Sequence, residues 1–291
     1  MKKQKLSYIY ALSAILLWST IAVAFKISLR DLSPHQLLFN AILVSTVFFI
    51  IVLAAQKKIG TLFRFTFKQY LFSAFVGLLN PFLYYVVLLE AYDILPAQIA
   101  QPLNYTWPVL LVLLSVPILK QKINYKSILA IMVSFTGVII ISLQGDLSMD
   151  IKNPLGVILA VGSSLMWALF WLLNVRDKRE ETVKLFLNFI FALIYITIIL
   201  LLFSDFKIPE TDSLIASVYV GIFEMGITFI LWLKALSMTS STDKIGNLVF
   251  ISPFLSLFWI SMMLGESIYI STIFGLIMLI SGIILQRIFA K

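Results

Sequence analysis

Glu224 is the only charged residue in the run 213–233, and an ionised carboxylate among apolar side chains needs a partner. No Lys or Arg stands in the middle of any comparable run, which leaves a proton or the cation of a bound molecule as that partner. A protonated carboxyl hydrogen-bonded to a neighbouring helix would meet the same need with no function attached, and both readings stay open. Gly221, Thr228 and Trp232 share the Glu224 face at helical spacing. A second polar set, Gln98, Gln101, Asn104 and Tyr105, recurs along roughly one face and runs into Trp107 and Pro108. Pro108 has no N–H, so a carbonyl one turn earlier, near Asn104, loses its helical donor. Asn247 with Ser252 and Pro253 repeats that design, and Asn80, Pro81, Tyr84 and Tyr85 set another polar group beside a helix breaker. In hydrocarbon, such breaks are tolerated where they line a cavity, whereas plain interhelical hydrogen bonding is the alternative. Trp18, Trp167, Trp171 and Trp232 offer flat faces to an aromatic or apolar ligand, or else anchor span ends at the interface.

Several chemistries drop out. The chain has no cysteine and one histidine, His35, in a connector; thiolate metal sites, disulfides and Cys nucleophiles are excluded. No intramembrane carboxylate cluster suits a metal, and there is no Walker-type phosphate loop, so we expect neither cofactor nor enzyme nor ATP-driven pump. The absence of mid-run Lys and Arg speaks against phosphorylated ligands. A channel would call for a ring of like charges or a repeated filter segment, and neither is visible.

The elements that must hold these residues are membrane spans. Hydrophobic residues make up 61% of the 291 and charged residues 12%, against about 45–50% and about 25% in soluble domains. Mean hydropathy is +1.02. Apolar runs of about 20 residues predict ten transmembrane helices, at 6–25, 35–55, 69–89, 96–118, 125–143, 154–175, 183–203, 213–234, 244–264 and 268–288. Lys2, Lys3 and Lys5 ahead of the first run resemble a signal peptide's opening, but without a convincing cleavage site we read a retained helix. With the N-terminus inside, every Lys and Arg falls on the cytoplasmic side except Lys26, Arg30, Lys152 and Lys207. The opposite side carries Asp31, Glu90, Asp93, Asp146, Asp150, Asp205, Glu210, Asp212 and Glu266. Both termini are therefore expected inside, and the net charge of +8 reports orientation rather than a nucleic-acid partner.

The two halves also repeat. Residues 104–143 align with 249–288, pairing Pro108 with Pro253, Leu119 with Leu264, Ile123 with Ile268 and Gly137 with Gly282. Upstream, Gly77 and Ala91 pair with Gly221 and Ala235, and Trp18 has a counterpart in Trp167. Five spans per copy, an odd number, would turn the second copy over. The predicted fold is all-α integral membrane, with a first repeat at 1–145 and an inverted second repeat at 146–291, a recurrent plan of secondary transporters with a midplane site.

On these residues the chain resembles the drug/metabolite transporter superfamily, and within it the ten-helix members built from two EamA domains. The carriers are Leu17, Trp18, Ser19 and Thr20; Asn104, Tyr105, Thr106, Trp107 and Pro108; Trp167 and Ala168; Ser252 and Pro253; and Gly265 and Glu266, with Gly275 and Gly282. The first two strings look most like the aromatic amino acid exporter subgroup. In the first repeat Lys120 and Gln121 stand where the second has Gly265 and Glu266, a departure from the pattern. The resemblance implies a central cavity open to one side at a time and export of amino acids or related metabolites across a bacterial cytoplasmic membrane, by a monomer or weak oligomer. The expected substrate-binding residues are Trp18, Asn80, Tyr84, Gln101, Asn104, Tyr105, Trp107, Trp167, Glu224, Trp232 and Asn247, with proton coupling through Glu224. Glu266, at a hairpin, is expected to maintain the fold.

Overall fold

A computed structural model describes residues 2–119, 124–145, 151–203, 206–238 and 248–289. The expected Asn247 lies outside them. The first and second spans are α1 (Lys2–Ser28) and α2 (Pro34–Ala55). The third joins α3 (Phe67–Gly77) to α4 (Tyr84–Ile94) through a π-helical stretch, Leu78–Leu83. The fourth, expected as one helix, is two: α5 (Ala97–Asn104) and α6 (Trp107–Leu119). α7 (Tyr125–Ser142), α8 (Pro154–Arg176) and α9 (Glu181–Phe203) follow as fifth, sixth and seventh spans. The eighth joins α10 (Thr211–Tyr219) to α11 (Thr228–Met238) through a second π-helical stretch, Val220–Ile227. The ninth and tenth are α12 (Ile251–Leu264) and α13 (Ile270–Phe289).

Among the described residues nine helices are long and apolar enough to cross a membrane, and the ninth span contributes a tenth, shorter apolar helix. The chain is a multi-pass membrane protein. Its outer surface is a lipid-facing belt in which Ile51, Leu201 and Phe274 are exposed, while small and polar side chains turn inward.

The starts of the spans carry local signals. Ser33 accepts a hydrogen bond from the Gln36 N–H with Pro34 in the first turn, Thr66 and Gln69 form a capping box, and Asn124 accepts from the Ser127 N–H. Gly265, at φ 69°, closes α12 in the left-handed region where a Cβ would strain the backbone.

Small residues set which spans touch. A Cβ on Gly275 would lie 2.6 Å from the Gly137 carbonyl oxygen, so the fifth and tenth spans meet backbone to backbone, and the Ser134 hydroxyl donates to the Leu279 carbonyl at 3.0 Å. Gly77 sits equally tight on the Asn188 carbonyl of the seventh span, and Gly221 on the Ala41 carbonyl of the second. The pairing is reciprocal between the halves: third with seventh and eighth with second, first with eighth and sixth with third, first with ninth and sixth with fourth. The offset that carries Gly77 onto Gly221 carries Asn80 onto Glu224, and both lie in the π-helical stretches.

Candidate functional site

Widened π turns bring Glu224 to the centre of the molecule. The Thr228 hydroxyl donates to the Phe223 carbonyl, one residue beyond the α-helical reach, which stabilises the loosened backbone around the carboxylate. Glu224 is 7% exposed; its Oε1 accepts from the Tyr85 hydroxyl at 2.7 Å, while Oε2 has no hydrogen-bond partner in the protein. Tyr85 is fully buried and comes from the third span, just past that span's own break.

The break in the fourth span follows from its prolines. Pro108 removes the donor that would have reached the Asn104 carbonyl, and the Ser164 hydroxyl of the sixth span replaces it at 2.7 Å. Ser164 in turn accepts from Thr106 Oγ1 at 3.0 Å. The Asn104 side chain is thereby held at the junction, accepting from the Tyr84 hydroxyl at 3.1 Å and donating from Nδ2 to Ser163 Oγ at 2.8 Å. A turn earlier, Gln101 accepts from the Tyr92 hydroxyl and donates to Ser256 Oγ at 3.1 Å; Ser256 donates to the Ser19 carbonyl at 2.8 Å. First, third, fourth, sixth and ninth spans are thus tied into one polar network around the cavity.

The cavity is lined by Trp18, Tyr84, Gln101, Asn104, Tyr105, Trp107, Trp167 and Glu224, together with Ile21, Phe25, Leu88, Tyr92 and Val249. Tyr84 lies 4.8 Å from Trp167 between ring centroids, near stacking at 34°. The lining is therefore mixed, with indole and phenol rings beside amide and carboxylate groups. Its free volume is about 60 Å³, below the roughly 300 Å³ where ligand pockets begin.

Eight of the expected residues meet in this one cavity. Trp232 does not line it but packs on Trp18, which does, at 5.3 Å. Gly221, expected on the Glu224 face, is against the second span instead, because the π turns rotate the helix between them. Asn80 is buried outside the lining and its Oδ1 has no partner in the protein. Gln98 leaves the expected amide face: its side chain donates to the Ser267 carbonyl at 2.8 Å and accepts from the Tyr269 N–H at 2.8 Å. Glu266 lies with it, its carboxylate accepting the Ala97 and Gln98 N–H groups that open α5, at 2.9 and 3.1 Å. The fold-maintaining role expected of Glu266 has this physical content. Phe25 and Tyr92 were absent from the expected set, although Ile21 and Phe25 follow Trp18, and Tyr92 follows Tyr84, at whole-turn spacing.

Comparison with known proteins gives the setting. The model of the EamA-like transporter family matches twice, over residues 5–143 and 154–287. An uncharacterised transporter of Clostridium kluyveri is 24% identical over 291 residues, spanning 97% of this chain and 93% of that protein. The uncharacterised transporter YoaV of Bacillus subtilis is 23% identical, spanning 94% of each. A solved crystal structure superposes with a TM-score of 0.70 at 19% identity, covering 98% of this chain and 97% of that one, a likeness of fold.

Proposed function

Since the chain belongs to the EamA-like transporter family, we propose that it is a secondary transporter that exports small metabolites, amino acids with aromatic side chains foremost. The observation that carries this reading is the Glu224 carboxylate, with one oxygen unclaimed by the protein, lining the same cavity as Trp18, Tyr84, Trp107 and Trp167. A substrate amine fits the carboxylate, its side chain fits the rings, and Gln101, Asn104 and Tyr105 supply hydrogen bonds to what remains. Between substrate molecules a proton takes the same oxygen, which couples export to the proton gradient. Export as the direction rests on the family resemblance.

Alternating access is the proposed mechanism, with five-helix repeats at 1–145 and 146–291 in opposite orientations rocking about the cavity. Reciprocal packing of third on seventh and eighth on second spans supports that symmetry. A free volume of about 60 Å³ at the centre favours a carrier over a continuous pore. In this reading both termini face the cytoplasm of a bacterial cell, as the Lys and Arg distribution favours, and the protein works as a monomer or weak oligomer. The test is a screen of metabolites in proteoliposomes, beginning with aromatic and branched amino acids. Saturable transport with counterflow of an aromatic amino acid is expected; if none moves while another solute does, the substrate assignment falls.

A further inference from the structure

A second cleft differs from the cavity in its chemistry. It is formed where the connector between the sixth and seventh spans folds onto the beginning of the third, and Lys68, Gln69, Phe72, Asp177, Lys178 and Arg179 line a space of about 450 Å³. Its floor is fully committed. Arg179 holds Asp177 through Nε at 3.0 Å and Nη2 at 2.6 Å, donates through Nη1 to the Gln69 carbonyl at 3.2 Å, and lies 5.3 Å over the Phe65 ring. That pair is neutral overall. Lys68 and Lys178 are different: both are exposed, and no ion pair among the described residues includes either. The cleft therefore presents two uncompensated cations above a neutral base.

The surface beside it is apolar. Phe67, Leu71 and Phe75 recur four residues apart along the third span, exposed by 80, 60 and 51%, in the row next to Lys68 and Phe72. Phe63, 81% exposed, extends this apolar surface on the connector side. In a membrane protein this row meets acyl chains, while the lysines reach the level of the headgroups. A free inorganic anion would use the cations and leave the row idle. A molecule anionic at one end and apolar along its length uses both. We infer that this cleft binds the headgroup of an anionic phospholipid, its phosphate between Lys68 and Lys178 and its chains along Phe67, Leu71 and Phe75. The bound lipid would bridge a span of the first half and a connector of the second.

The test uses the purified full chain in nanodiscs of phosphatidylcholine with and without phosphatidylglycerol, with retained lipid counted by native mass spectrometry. Wild type is expected to retain phosphatidylglycerol, and Lys68→Gln with Lys178→Gln to lose it by about tenfold. Lys68→Arg with Lys178→Arg keeps it, and so does the charge-matched control Lys3→Gln with Lys5→Gln. Equal retention by the Gln pair, or equal loss in the control, overturns the inference. Inorganic phosphate at about 10 mM should not displace the lipid; if it does, the cleft is a free-anion site and the lipid assignment falls. Unchanged elution and thermal midpoint of the Gln pair in neutral detergent separate lost binding from lost fold, and a misfolded Gln pair is replaced by Lys178→Gln alone, expected to retain less lipid than wild type.

Discussion

The third and eighth spans are loosened at matching positions and put that loosening to different uses. In the third, Pro81 interrupts the helix; Asn80, at φ −151° and ψ 126°, is buried away from the cavity, and only after the break do Tyr84 and Tyr85 turn towards the centre. The eighth has no proline at its π turns: the backbone stays wound, and Glu224 itself enters the cavity. One copy of the motif is interrupted and carries a neutral amide, while the other stays wound and carries the acid. The division is cooperative, because the hydroxyl that holds Glu224 belongs to Tyr85 of the first copy. Equivalent stretches of the two copies thus meet in one place, the first contributing a hydroxyl and the second a carboxylate.

Substitution at the paired positions separates the two roles most sharply. Glu224→Gln should lower gradient-driven accumulation in proteoliposomes at least about tenfold and weaken exchange with it, because the substrate amine loses its anchor, whereas Asn80→Ala should leave the gradient response intact. A Gln variant that still concentrates substrate in response to a pH gradient would remove Glu224 from coupling. Packing should by contrast be alike in the two copies. Gly77→Val and Gly221→Val each drive a side chain into a facing backbone, and each should cost about 1–3 kcal/mol, read as similar drops in thermal midpoint. A large drop in only one would break the equivalence of the two halves. Tyr85→Phe removes the hydroxyl on Glu224 and should cost about 1 kcal/mol, a roughly fivefold fall in transport, with little effect on folding. Smallest is the effect at Asp177, far from both breaks. Burial opposes its ionisation, but the Arg179 guanidinium and N–H hold its carboxyl below the usual range. Its contribution to stability is therefore present above the unfolded value of about 3.9 and lost as pH falls through the lower folded value. Asp177→Asn should flatten that part of the acid unfolding curve and leave gradient dependence unchanged.

Spans and packing were legible in the sequence for different reasons. Span positions follow from apolar runs long enough for hydrocarbon, and Gly77, Gly137, Gly221 and Gly275 prove to be the close-approach points, because only a missing Cβ lets backbones touch. Eight cavity residues could be picked out because a polar or indole group in lipid has few other uses. What escaped was phase. Periodicity assumes an even turn, and nothing in the eighth span announces π winding, so Gly221 was assigned to the Glu224 face although it packs on the second span. The fourth span shows the converse: Pro108 did reveal the orphaned Asn104 carbonyl, but Ser164, its replacement donor, sits in another half of the chain where no local pattern points to it.

The glycine seam between the fifth and tenth spans bears on how the protein is made. Gly137 finds its partner Gly275, and Ser134 its acceptor on Leu279, only when the last span has left the ribosome. At about 5–20 residues per second that is a delay on the order of ten seconds. A chain cut short before Ile270 would lack that seam, which makes α13 the clasp of the fifth span.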